Sequence, residues 1–149
     1  MKKERNQMKK DVLINIKGIQ RAGGEQDVTE LFTQGSLYKR NNSYYVTYSE
    51  SEATGYADSH TTLKVDSKNR VILIRSGAVR SHLVIMPGER NIGHYGTEGG
   101  DLMIGVDAKA VRSTLGEDGG DLYFSYTLDV NSSFLSENEV FINIKEMEQ

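Results

Sequence analysis

Between Tyr44 and Gly77 three stretches alternate in side-chain character with period two, and only short polar breaks separate them. Side chains at alternate positions of a strand point to opposite faces. Parallel pairing needs crossovers of a dozen or more residues, so strands joined this tightly pair antiparallel. Tyr44, Val46 and Tyr48 share one face of the first strand, and Glu50 and Glu52 continue it. Two strands later Val71 and Leu73 are followed in the same phase by Arg75. If that face points inward, carboxylates and a guanidinium lie inside a small β-protein.

The rest of the chain keeps the same rhythm. Lys10–Gln20 carries Val12, Ile14 and Ile16 in phase, and turns at Ala22–Glu25 and Asn41-Asn42 bracket Gln26–Arg40, with a bend expected at Gly35. Arg80–Met86 runs to the single proline, Pro87, and Asn91–Thr97 is a weak, polar strand. Leu102–Val106 and Leu122–Val130 each follow a Gly-Gly pair, and Val140–Ile144 closes the series. The best helix candidate is Asp107–Leu115, although Ala108 and Ala110 equally extend a strand. About ten strands at close, regular spacing indicate an antiparallel sandwich or barrel. The barrel is favoured because closure removes exposed edges and no long Greek-key connection is evident.

Composition narrows the functional classes. With 149 residues, 37% hydrophobic, and 15 glycines, the chain suits one cored domain. Residues 1–9 read as a flexible basic leader and residues 10–149 as a single β-barrel domain. The net charge of −3, with both signs scattered, gives no long-range field for nucleic acid or an anionic membrane. Cysteine is absent, which excludes disulfides, thiolate metal sites and a cysteine nucleophile. Val12–Ile16 is too short for a signal-peptide core and no stretch is long enough for a helical span, so a cytoplasmic location is expected.

The order Tyr48-x-Glu50-x-Glu52-x-x-Gly55, Val71-x-Leu73-x-Arg75-x-Gly77 and Tyr95-x-Thr97-x-x-Gly100-x-Leu102 resembles the YwiB-like family, from about Val12 to about Lys145. These are small bacterial calycin-type β-barrel proteins of unknown function. The resemblance implies an all-β, single antiparallel calycin/lipocalin-like barrel of about eight to ten strands. It transfers no catalytic or ligand-binding residue, because fold analogy carries no ligand with it.

The chemistry legible in the residues centres on Tyr48, Glu50, Glu52, Arg75, Tyr95 and Tyr126 as candidate ligand-binding side chains. Three placements of Arg75 stay open. It could anchor a ligand carboxylate or other anion in the lumen, or pair internally with Glu50 or Glu52, since an unpaired buried charge is costly. It could also face solvent, because Ile72 and Ile74 leave the strand phase ambiguous. His60, His82 and His94 share no short metal-ligand spacing and read as three separate surface or rim side chains, so no metal or other cofactor is assigned. The near-repeat Glu98–Leu102 and Asp118–Leu122 reads as two hairpin turns rather than a calcium loop, whose ligands recur over about twelve residues. No Gly-x-Ser-x-Gly elbow is present, and the absence of tryptophan argues against an aromatic glycoside cleft; catalysis is not expected. Lys39-Arg40 beside Tyr44-Tyr45 is the single hint of nucleic-acid stacking, too weak to assign such a partner. The leading expectation is a barrel holding a small amphiphilic or anionic ligand. The alternative is a filled barrel acting as an interaction or structural module, with a homodimer as one form.

Overall fold

A computed structural model of the chain describes residues 9–50 and 57–147. Among the described residues ten antiparallel strands run in chain order: β1 (Lys10–Ala22), β2 (Glu25–Arg40), β3 (Ser43–Ser49), β4 (Ser59–Val65), β5 (Val71–Gly77), β6 (Arg80–Ile85), β7 (Arg90–Thr97), β8 (Gly100–Ser113), β9 (Gly119–Val130) and β10 (Ser133–Glu146). Each pairs with its neighbours in sequence, and β1 pairs with β10, so the sheet closes into an up-and-down barrel. The turns follow the expected chemistry. Asn41 and Asn42 both adopt positive φ between β2 and β3, as do Gly23 and Gly24 between β1 and β2. The leader expected over residues 1–9 lies outside the described residues except for Lys9.

Two segments depart from or resolve the sequence reading. For Asp107–Leu115, open to either a helix or a strand extension, the strand is found: most of it is the second half of β8. A bulge between Ala108 and Ala110 shifts the register, so the inward positions run Val106, Ala108, Val111 instead of keeping strict alternation. That broken period is what imitated a helical spacing. The last strand is also far longer than Val140–Ile144, because its first half places polar Ser136 and Asn138 at positions that pair with inward residues Leu128 and Tyr126 of β9. The Glu98–Leu102 and Asp118–Leu122 segments sit at the two ends of β8, and therefore at opposite ends of the barrel.

Register places inward side chains in rows that climb around the wall. One row joins Leu37, Val46, Leu63, Leu73 and Leu83, all nearly excluded from solvent. Val12, Ile14, Val71, Ile85, Val106, Leu122, Phe124 and Ile144 complete a packed apolar section, each such side chain contributing about 1.5–3 kcal/mol when removed from water. Gly35 lets β2 bend against this packing: a methyl group there would collide with the Thr47 carbonyl oxygen and come within 2.6 Å of the Ile14 Cδ1. The next row up is Gly35, Tyr48, Thr61, Arg75, Ser81, Tyr95 and Leu102. There the barrel interior turns polar.

Candidate functional site

Strand phase decides Arg75. It pairs with Thr61 of β4 and Ser81 of β6, both on the inward face, and its side chain is only 10% exposed. Of the three placements open from sequence, the structure holds the internal ion pair. Arg75 Nη2 donates to Glu50 Oε2 at 3.2 Å, and Nε donates to the same oxygen at 3.3 Å. The Glu50 side chain is 2% exposed, and the backbone N–H of Glu50 donates to the Ser59 carbonyl at 2.8 Å, which fixes the carboxylate where β3 ends.

The residue that sequence reasoning missed is Thr61. It is fully buried, donates its hydroxyl to Glu50 Oε2 in a close hydrogen bond, and accepts from Arg75 Nε at 3.3 Å. A hydroxyl in phase with Leu63 and Val65 was the available signal, since a buried polar group needs a partner. Tyr48 lies beside this cluster and is 7% exposed. Burial is the main cause raising its phenol well above the ordinary tyrosine range, and the neighbouring Glu50 carboxylate adds to it.

The sign of that shift gives a testable pH dependence. A raised folded-state value means that the neutral phenol is favoured by the fold, so the contribution is complete below the unfolded value of about 10 and is lost as pH rises beyond it. Urea-unfolding stability is expected to decline above about pH 10, and Tyr48→Phe is expected to decline less steeply. Parallel profiles for the two proteins would contradict the assignment.

The remaining candidates are distributed around the ring. Tyr95 shares the Arg75 row with Ser81 between them, and it is half-buried. Tyr126, also half-buried, is on β9, five strands from β4 and so on the opposite side of the barrel; its ring stacks on Phe124 at 6.1 Å. Leu102, Leu128 and Val130 occupy inward positions at this end yet retain exposure, with Leu102 at 53%. Glu52 lies outside the described residues. The polar end therefore has a buried base, Tyr48–Glu50–Thr61–Arg75, beneath a partly open wall of mixed polarity.

The outer face holds three further groupings. Tyr38 and Tyr45 stack in parallel at 4.9 Å, with Lys9 and Lys64 over their rings; Lys39 lies over Tyr44 on the inward side of the wall, in phase with Leu37 and Val46. These cation–π contacts cover the ring faces that a nucleobase would need. A groove of about 500 Å³ runs past Asn15, Lys17, Arg112, Tyr123 and Phe141, where Arg112 sits 4.3 Å from the Tyr123 ring centroid. The histidines are not three separate side chains: His82 of β6 and His94 of β7 are direct cross-strand partners, while His60 stands apart on β4. Twelve residues separate the pair in sequence, and only the hairpin register brings them together. Among the described residues no group of three or more His, Asp or Glu converges on one point.

Comparison with known proteins agrees with the architecture. The family model for a domain of unknown function, DUF1934, matches residues 14–142. The uncharacterised β-barrel protein YwiB of Bacillus subtilis is 29% identical over 119 residues, covering 80% of this chain and 82% of its own. The crystal structure of the ywiB protein from Bacillus subtilis superimposes with a TM-score of 0.85 at 24% identity, covering 96% of each chain, a likeness in fold.

Proposed function

We propose that this chain, which belongs to the DUF1934 family, is a non-catalytic binding protein that takes a small amphiphilic ligand into the polar end of its barrel. Its relative YwiB is described as uncharacterised, so the reading rests on this molecule alone. The observation that carries it is the division of the inward face. One section is packed with apolar side chains, whereas the section above the Glu50–Arg75 pair leaves Tyr95, Leu102, Tyr126, Leu128 and Val130 partly exposed. Phenol hydroxyls beside aliphatic wall suit a molecule with one polar and one apolar part. A purely anionic ligand is less favoured, because its charge would compete with Glu50 for Arg75. The calycin relationship and a cytoplasmic location belong to the same proposal; the ring of consecutive antiparallel strands supports the first, and the cysteine-free composition suits the second.

Native mass spectrometry and a thermal-shift screen of fatty acids, haem and small anions test this. An amphiphile is expected to add mass at one equivalent and to raise the melting temperature with concentration, by about 2.7 kcal/mol of stability at 100 times Kd. Tyr95→Phe and Tyr126→Phe should weaken that shift while folding normally. If no compound alters mass or melting temperature, and the polar end is solidly filled, the reading fails. A second reading, a filled barrel acting through its surface as a homodimer or with a protein partner, is favoured by Phe32 on β2, 70% exposed, and Phe141 on β10, 39% exposed. Sedimentation of a strict monomer, unchanged in Phe32→Ser, would remove the homodimeric form.

A further inference from the structure

We propose that His82, His94 and Met103 form a surface site for monovalent copper, separate from the barrel interior. The three residues are consecutive in one transverse row of the outer face: His82 of β6 is opposite His94 of β7, which is opposite Met103 of β8. Directly opposed residues of antiparallel strands hold their Cβ atoms about 4.5–5.5 Å apart, close enough for two imidazoles to reach one ion. All three side chains are exposed, Met103 by 63%. Among the described residues neither imidazole is engaged in a side-chain hydrogen bond or an ion pair.

The donor chemistry selects the metal. Imidazole binds in its neutral form, and a thioether is always neutral, so the set offers two nitrogens and a sulfur without a carboxylate. Hard cations prefer oxygen ligands, while thioether sulfur favours Cu(I). The row continues to Ile74 of β5, 44% exposed, and Ile92 lies two residues before His94, 52% exposed. An apolar surround of this kind lowers the local dielectric around a bound ion, which suits the singly charged state.

The test is a titration of the full chain with Cu(I) under anaerobic reducing conditions, in competition with a chromogenic Cu(I) chelator. One equivalent is expected to bind, with shifts of the His82 and His94 ring protons and the Met103 methyl in NMR spectra. Loss of an outer-shell partner typically costs about 10–100-fold in affinity, so His82→Ala and His94→Ala should each weaken binding by at least about tenfold. Met103→Leu should weaken Cu(I) while leaving Zn(II) binding unchanged, and His60→Ala should match the parent protein. The substituted side chains are on the surface, so folding should be retained, as circular dichroism would confirm. Failure of the parent protein to compete, retention of full affinity in both histidine variants, or a Met103→Leu protein that holds Cu(I) as tightly as the parent would each overturn the assignment.

Discussion

Replacing Arg75 with methionine is expected to destabilise the barrel by about 3–5 kcal/mol, the cost of breaking a buried ion pair by removing one member. The Glu50 carboxylate, 2% exposed in the parent, would lose its paired guanidinium while keeping the hydrogen bond from the Thr61 hydroxyl. The double variant Glu50→Gln, Arg75→Met should recover much of the loss, because the amide still accepts from Thr61 and no charge remains buried. Urea unfolding of the two single variants, the double variant and the parent closes the thermodynamic cycle. A shift in midpoint at constant slope would report stability alone. Strictly additive losses would mean that Glu50 and Arg75 do not interact, and a loss under about 1 kcal/mol for Arg75→Met would mean that the pair is well hydrated. The same cycle bears on function, since a double variant that folds but no longer binds an amphiphile would assign the pair to the ligand as well as to the fold.

Phe124→Ala is the second large effect expected, a loss of about 3–5 kcal/mol. Phe124 is wholly buried and is among the largest such side chains; it projects inward from β9 between Val111 and Val140, its cross-strand partners. Eight strands enclose an interior just wide enough to be filled by side chains, so ten strands leave more space, and bulky residues must span it. Removing the ring opens a cavity that a closed wall of hydrogen-bonded strands relaxes into poorly. Phe32→Ala, on the outer face, provides the contrast and should change stability by no more than about 0.5 kcal/mol. Chemical denaturation of both variants distinguishes a packed section from an open tube: if Phe124→Ala is as mild as Phe32→Ala, the lower barrel is not filled as described, and the division between packed and open ends is lost.

How far the sequence carried the reading depends on which face of a strand is apolar. Where inward residues are apolar, as at Val12, Ile14 and Ile16 or Leu122 and Phe124, the period of two revealed the strand directly. Where they are polar, the signal disappears. Ser136 and Asn138 hid the first half of β10, and the bulge near Lys109 broke the period of β8 into something that resembled a helix. Glu50 and Arg75 were visible as charges in phase with an apolar face. Their pairing was one of three placements the sequence left open, because the choice depends on β4 lying between β3 and β5 with Thr61 opposite both Tyr48 and Arg75. The His82–His94 pair was missed for the same reason, since a spacing of twelve residues has no meaning until a hairpin register is known.

Side-chain alternation and the positive-φ preferences of Gly and Asn are local properties, so the antiparallel all-β class, the approximate number of strands and most turns were legible in the chain. Closure of the sheet at β1 and β10, the inward direction of Arg75 toward Glu50, and the single row shared by two histidines and a methionine came with the assembled barrel. Those outcomes are set by register and closure, which arise from contacts between residues far apart in the chain.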